Sequence, residues 1–368
     1  MNAKINSVPA KYPSSLLVGL DFYGAGNIGD DLMVAGFVQA LSILNPASTT
    51  KVYCNTHWDV ESQRIRFPEI SWRHTAGVPK EKVSLLSDVE CWAGVGDTPF
   101  QLTSGDWCLK DMLSQLETIQ KFKSRVMVSV GAETAIQPRA KDFARVASVF
   151  ERISTRDEHS SQILIDMVGV PSSLVFTGAD LANISLPNIL DERRIEKKFA
   201  LGLIVAGDTL SNKDISEVGR FIASQKEPVG FIAGETRMVP YAERGVFAKL
   251  TRFPWSRVRG KASLEVPLYS QCSLYDLIHP ICACETVIST RYHGLLAAAW
   301  AGCKVAAISR SSKVAALADI LGIPYHNLPV TGEKLESLQN EASKVSPDIL
   351  NDLRDKALSG VSFALEVR

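Results

Sequence analysis

The sequence predicts an α/β protein of two domains that face each other across a cleft, each domain a parallel sheet with helices on both faces. Three observations predict it. Short β-rich runs alternate with longer amphipathic runs along most of the chain, as strands and helices do in successive βα units. At 368 residues the chain is longer than one ordinary core needs. A polar stretch near the middle, with Asp191-Glu-Arg-Arg194 and Glu196-Lys-Lys198, divides one alternating unit from the next.

Taken in order, apolar runs of strand length fall at Leu16–Phe22, Lys51–Cys54, Asp88–Ala93, Arg125–Val130, Arg152–Thr155 and Leu174–Thr177. Amphipathic stretches at Asp31–Leu44, Leu109–Lys121, Pro138–Glu151 and Glu158–Val168 are the helices between them. Residues 1–186 then form a first Rossmann-like domain, and 187–198 a linker without a strong apolar period. In the second domain, 199–332, strands are expected at Phe199–Val205, Pro228–Ile232, Thr286–Ser289 and Lys304–Ser309. Its helices are expected at Asp214–Gln225, Leu274–Ala283, Leu295–Ala301 and Ser312–Leu321. The tail, 333–368, reads as helical and suits either domain as a packing surface.

Forty basic residues balance forty acidic ones, and 46% of the chain is apolar. A neutral balance gives no general attraction to nucleic acid or anionic lipid, although a local basic cleft still suits an anion. The N-terminus lacks an apolar stretch of signal-peptide length, and the longest apolar candidate, Leu295–Ile308, is interrupted by Gly302 and Lys304. A cytoplasmic protein is expected. The seven cysteines (54, 91, 108, 272, 282, 284 and 303) include no Cys-x-x-Cys pair, and Cys282-x-Cys284 reads as two small apolar residues of a buried segment. Neither disulfides, metal nor bound cofactor is expected.

Gly24-x-Gly26-x-x-Gly29 has the spelling of a dinucleotide-binding turn and stands between a strand and a helix. The acidic residue that should close the second strand is missing, since that strand ends Val52-Tyr-Cys-Asn55. Asp30 and Asp31 also begin the helix, where they favour the helix dipole but repel a pyrophosphate. These features weigh against NAD. The loop reads as a tight turn with Asp30 as N-cap, and the backbone amides of Gly26, Asn27 and Gly29 are candidates to contact a sugar or an anion.

The second half carries a sharper signal. In Val287-Ile-Ser-Thr-Arg-Tyr-His-Gly294, Arg291 and His293 follow a buried strand and precede a helix, with Ser289 before them and Gly294 allowing close approach. A guanidinium grips a carboxylate or phosphate, and an imidazole beside it exchanges a proton near neutral pH. The next strand ends in Arg310 and Lys313, again at a carboxyl edge. In the first half, Ile153-Ser-Thr-Arg-Asp-Glu-His-Ser160 repeats the arrangement with Arg156, and Asp157 stands where it would cap the following helix.

Together these pieces resemble the polysaccharide pyruvyl transferase family: Tyr23-Gly-Ala-Gly-Asn-Ile-Gly-Asp-Asp31, Ser154-Thr-Arg-Asp-Glu-His-Ser160 and Ile288-Ser-Thr-Arg-Tyr-His-Gly294, followed by Ala301-Gly-Cys-Lys-Val-Ala-Ala307 and Lys313-Val314. The resemblance implies the two-domain GT-B-like arrangement and transfer of an enolpyruvyl-derived group from phosphoenolpyruvate to a sugar diol of a polysaccharide or its precursor, giving a pyruvate ketal. It casts the first domain as the acceptor side and the second as the donor side. Arg156, Arg291 and His293 carry over as donor-binding and catalytic residues, with Lys313 a supporting charge. Where the family has a Gly-Gly-Gly turn, this chain reads Trp92-Ala-Gly-Val-Gly-Asp-Thr98, keeping Gly94 and Gly96 as candidate contacts. The acceptor, lipid-linked or free, stays open, as do peripheral membrane association and oligomeric state. Two other readings stand beside it: a GT-B glycosyltransferase using a nucleotide sugar, and a non-catalytic glycan- or anion-binding protein of the same fold.

Overall fold

The computed structural model describes residues 12–20, 23–24, 26–46, 50–56, 58, 60–75, 89–191, 195–235, 242–252, 256–266 and 273–366. Within them the first domain holds strands β1 (Ser15–Gly19), β2 (Lys51–Thr56), β3 (Ile70–His74), β4 (Cys91–Val95), β5 (Ser124–Val130), β6 (Arg152–Thr155) and β7 (Val175–Thr177), in the order β3-β2-β1-β4-β5-β6-β7. The second holds β8 (Phe199–Ile204), β9 (Val229–Ile232), β10 (Ala262–Glu265), β11 (Cys284–Ser289), β12 (Lys304–Ser309) and β13 (Tyr325–Asn327), in the order β10-β9-β8-β11-β12-β13. Neighbouring strands run parallel throughout.

The central strands β1 and β4 are buried at every residue, because helices cover both faces. Toward the edge, β2 alternates buried and open positions. β3, β10 and β13 have no counterpart in the sequence expectation. Each is an edge strand of five residues or fewer with polar positions, so its apolar signal is weak.

The helices between the strands of the first domain are α1 (Ile28–Leu44), α2 (Val60–Arg66), α3 (Trp107–Ile119), α4 (Ala140–Ala147), α5 (Glu158–Gln162, running into a π-helical turn at Ile163–Val168) and α6 (Ala182–Leu190). The second domain adds α7 (Asn212–Ser224), α8 (Glu243–Thr251), α9 (Leu274–Cys282), α10 (Tyr292–Trp300), α11 (Ser312–Leu321), α12 (Gly332–Glu341) and α13 (Pro347–Leu365). Serine capping boxes start α7 and α9: Ser211 with Asp214, and Ser273 with Asp276.

Two differences from the sequence expectation concern connections. The expected linker begins inside α6, which runs through Pro187 with Leu186 fully buried. Packing on α1 outweighs the backbone bond that proline removes. The tail divides: α12 packs on α7 of the second domain, while α13 crosses back to β5, β6, α6 and α1. Phe363 stacks on Phe176 at a centroid distance of 5.3 Å and fixes the end of that helix.

One contiguous apolar core joins the domains, running from Phe37 of α1 through Leu186 of α6 to Ile278 of α9, Leu296 of α10 and Val305 of β12. Separate clusters fill the outer face of each sheet. Six described cysteines are buried free thiols, and burial pushes those of Cys282 and Cys284 up to about 12, as suits small core residues. Cys272, Asp88 and residues 21–22 lie outside the described residues. No described helix is long and apolar enough to cross a membrane.

α1 passes close to the residue that caps α6. A Cβ at Gly36 would stand 1.9 Å from the Leu181 carbonyl oxygen, a backbone atom that a rotamer change does not move. Gly36→Ala should therefore destabilise the protein by about 1–3 kcal/mol despite the better helix propensity of alanine, read as a lowered Tm in calorimetry.

Candidate active site

In each sheet the strand order reverses beside the first strand of that domain, between β1 and β4 and between β8 and β11. Open parallel sheets bind ligands at the carboxyl edge of such reversals. Here the two reversals face each other, and a polar pocket lies between them. Of the residues singled out in the sequence, Asn27, Asp30 and Arg156 of the first domain line it, as do Arg291, His293, Gly294, Arg310 and Lys313 of the second. Gly26, Gly29, Gly94, Gly96 and Ser289 stand outside its lining and shape the walls instead.

The turn after β1 differs from expectation in two respects. Asn27, rather than Asp30, is the N-cap of α1, its side chain accepting from Gly29 N at 3.0 Å. The helix thus starts earlier, and both acids fall in its first turn. Ile28 N donates to Gly234 O at 3.3 Å and Asn27 forms an antiparallel bridge with Glu235, so the Ile28 and Gly29 amides are used within the protein. Asp31 is fully buried against Arg66 at 3.3 Å and accepts from Gly24 N at 3.1 Å, which ties the loop to α2. Gly29 has a different task from anion contact. A Cβ there would lie 2.0 Å from His293 Nδ1, so only glycine lets the imidazole rest on the start of α1.

On the opposite wall, Ser289 Oγ accepts from Arg291 N at 2.9 Å and donates to Arg291 O at 3.0 Å, turning the chain from β11 into α10. This places Arg291 at the N-cap position and His293 in the first turn. His293 Nε2 lies 3.3 Å from Oδ2 of Asp180, which is fully buried. Asp180 also accepts from Ala182 N at 2.9 Å through its other oxygen. Burial opposes its charge, yet His293, Arg156 and the Ala182 amide together hold Asp180 below the usual carboxylate range. The arrangement fixes one edge of an imidazole whose ring borders the pocket.

Each pocket cation has a carboxylate behind it. Arg291 Nε bonds Glu243 Oε1 at 2.6 Å, and its Nη2 bonds Glu235 Oε2 at 3.2 Å. Burial disfavours that guanidinium, but the two acids more than offset it and raise its pKa. Arg310 pairs with Asp208 and donates from Nε to Thr290 O at 3.1 Å. Arg156 Nε lies 3.4 Å from Asp157, which caps α5 by accepting from Ser160 N at 2.7 Å. Its Nη2 donates to Thr98 Oγ1 at 3.0 Å, and its guanidinium sits 5.2 Å from the centre of the Tyr292 ring. Lys313 is more loosely held, 3.8 Å from Glu133. Burial first, and then Arg156, lower its pKa to about 8.

The sequence alone does not single out Asp180, Tyr292, Asp97, Thr98 or the acids Glu235, Glu243, Asp208 and Glu133, and it marks Asp157 only as a cap. For Asp180 a signal existed: Phe176-Thr-Gly-Ala-Asp180 ends a strand with an acid before a helix, as Thr155-Arg-Asp157 does. Glu235, Glu243 and Asp208 become meaningful only once the fold brings them under Arg291 and Arg310.

Two outcomes follow. Asp180→Asn removes a carboxylate whose pKa is lowered by folding, a contribution present at neutral pH and lost as pH falls through the folded value. The variant should therefore lose Tm at pH 7, with the deficit shrinking as pH falls below the ordinary aspartate range, as measured by thermal unfolding from pH 7 into acid. Lys313 is charged below pH 8 and neutral above it, so sulfate bound beside it should be released as pH rises from 7 to 9. Calorimetric titration with sulfate checks this, and Lys313→Arg should remove the pH dependence.

Comparison with known proteins adds the lineage. The UDP-GlcNAc 2-epimerase of Methanocaldococcus jannaschii, in complex with UDP-GlcNAc and UDP, superposes with a TM-score of 0.60 at 12% identity, over 94% of this chain and 98% of that one. The Neisseria meningitidis UDP-GlcNAc 2-epimerase bound to UDP-GlcNAc gives 0.55 at 13% identity, over 95% and 96%. Anabaena Alr3699/HepE in complex with UDP and glucose gives 0.56 at 11% identity, over 96% and 95%. Such likeness shows the fold, two parallel-sheet domains of the GT-B kind. No curated protein sequence matches the chain. The family description "Polysaccharide pyruvyl transferase" matches residues 27–312, from the cap of α1 to the start of α11, and the chain belongs to that family.

Proposed function

We propose that the protein transfers the enolpyruvyl-derived group of phosphoenolpyruvate to a sugar diol of a polysaccharide or its precursor, forming a pyruvate ketal. The observation that carries the reading is the pocket itself: four cations from both domains surround a histidine whose Nε2 faces a buried aspartate. Phosphoenolpyruvate brings a carboxylate and a phosphate. Arg156 and Lys313 on one side and Arg291 and Arg310 on the other can share these two anions, the arginines through planar donor forks.

His293 serves as general acid. It protonates the methylene carbon of the donor, creating an oxocarbenium-like centre that a sugar hydroxyl attacks. Phosphate leaves, and a second hydroxyl closes the ketal. Asp180 keeps the imidazole oriented and offsets the charge it carries when protonated. The carboxylates behind Arg291 and Arg310 hold those side chains in place, so binding the donor needs little rearrangement. This chemistry needs neither a redox cofactor nor a metal, and the saccharide is free or lipid-linked.

The fold of the UDP-bound neighbours supports a second reading, transfer from a nucleotide sugar. Binding separates the two. Phosphoenolpyruvate should raise Tm and UDP-glucose and GDP-mannose should not; the reverse pattern would replace the pyruvyl reading with the glycosyltransferase one. His293→Gln should keep phosphoenolpyruvate affinity and lose roughly a hundredfold to ten-thousandfold of turnover. Arg156→Gln should instead weaken the donor at least tenfold, by calorimetry. Arg291 is a poor probe, because removing it leaves the fully buried Glu243 without the cation it pairs with.

A further inference from the structure

Two acids line the pocket, Asp30 in the first turn of α1 and Asp97, and donor binding uses neither. Asp97 follows β4 in Val95-Gly-Asp-Thr98 and lines the pocket with its neighbour Thr98. Its backbone is left-handed, φ 59°, a conformation that costs a non-glycine residue energy. The fold pins it there: Asp97 N lies 3.3 Å from Met33 Sδ, and Asp97 O accepts from Gly131 N at 2.8 Å.

The Asp97 carboxylate contrasts with the acids that back the cations and the histidine. Asp157, Asp180, Glu235, Glu243, Asp208 and Glu133 each stand within ion-pair reach of a pocket side chain. Among the described residues, Asp97 makes neither a side-chain hydrogen bond nor an ion pair, although Arg156 and Lys313 both feel its charge. An unengaged carboxylate near the cations that bind the donor weakens donor binding. Strain and repulsion together point to a step other than binding.

We infer that Asp97 is the general base that takes the proton of the first attacking hydroxyl of the acceptor sugar, an inference that rests on the pyruvyl-transfer reading of this pocket. His293 gives its proton to the donor methylene, which becomes a methyl group. The hydroxyl oxygen bonds to the adjacent carbon as its proton passes to Asp97. The bond from that carbon to the phosphate oxygen then breaks, and the phosphate leaves with the proton held by Asp97. The second hydroxyl forms the last carbon–oxygen bond and returns a proton to His293. One donor and one diol give one ketal and one hydrogen phosphate, with both side chains restored.

Asparagine and glycine both accept a left-handed backbone, so Asp97→Asn and Asp97→Gly should fold. Both are to be compared with wild type for phosphoenolpyruvate affinity, by calorimetry, and for phosphate release in the presence of 4-nitrophenyl glycosides carrying a free 4,6-diol, with water as the nucleophile in their absence. Both variants should bind phosphoenolpyruvate within about threefold of wild type and release phosphate about a hundredfold more slowly or worse. Formate, fitting the space left by the side chain, should restore part of the rate in Asp97→Gly and none in wild type. Full phosphate release by Asp97→Asn would overturn the assignment, as would loss of phosphoenolpyruvate binding in both variants. Wild type failing to bind phosphoenolpyruvate would instead remove the pyruvyl reading, and the inference with it.

Discussion

The contact between Asp180 and His293 crosses from one domain to the other, and the geometry of the pocket depends on it. Asp180 follows the last strand of the first sheet, while His293 opens a helix of the second, so neither domain has the pair alone. Other polar contacts cross at the same level: Ile28 N to Gly234 O, Arg156 over Tyr292, Lys313 to Glu133, and Trp300 Nε1 to Asn183 Oδ1. Beneath them the apolar core is continuous between domains. Buried apolar contact holds the halves together, and the polar contacts above it set their register.

The electrostatics follow from the same placement. The protein as a whole carries no net charge, yet four cations converge on a pocket a few residues wide. Without countercharge such a cluster would repel itself, and the acids behind Arg291, Arg310 and Arg156 relieve that repulsion. They do so from behind, and for Arg291 from fully or nearly fully buried positions. Lys313 lacks so close a partner and yields instead through its lowered pKa. The difference is one of chemistry, since a guanidinium holds its charge under burial and an ammonium gives it up.

Much of this was legible in the sequence because strand ends carry local signals. An apolar run followed by Arg291 or Arg156 and then a helix places the side chain at a carboxyl edge whatever the rest of the chain does. Central strands such as β5 and β12 lie where their apolar runs put them. What stayed hidden was non-local. The role of Gly29 comes from a histidine more than two hundred residues away, and that of Gly36 from a carbonyl on α6. The amides after β1 read as free for an anion because nothing local shows that Gly234 occupies one of them. The edge strands β3, β10 and β13 and the helix α6 escaped because their short or proline-bearing segments depend on packing, which periodicity does not record.

Dividing the site between domains has a chemical consequence. On the proposed reaction, an oxocarbenium-like centre would react with any oxygen nucleophile nearby, so the acid and the acceptor would have to be oriented together. In this fold the imidazole is positioned from both domains, because His293 meets Asp180 and the turn at Gly29 across the domain boundary. The crossing bonds at Ile28 and Asn27 hold the same register. One interdomain register therefore sets both the orientation of the imidazole and the convergence of the pocket cations.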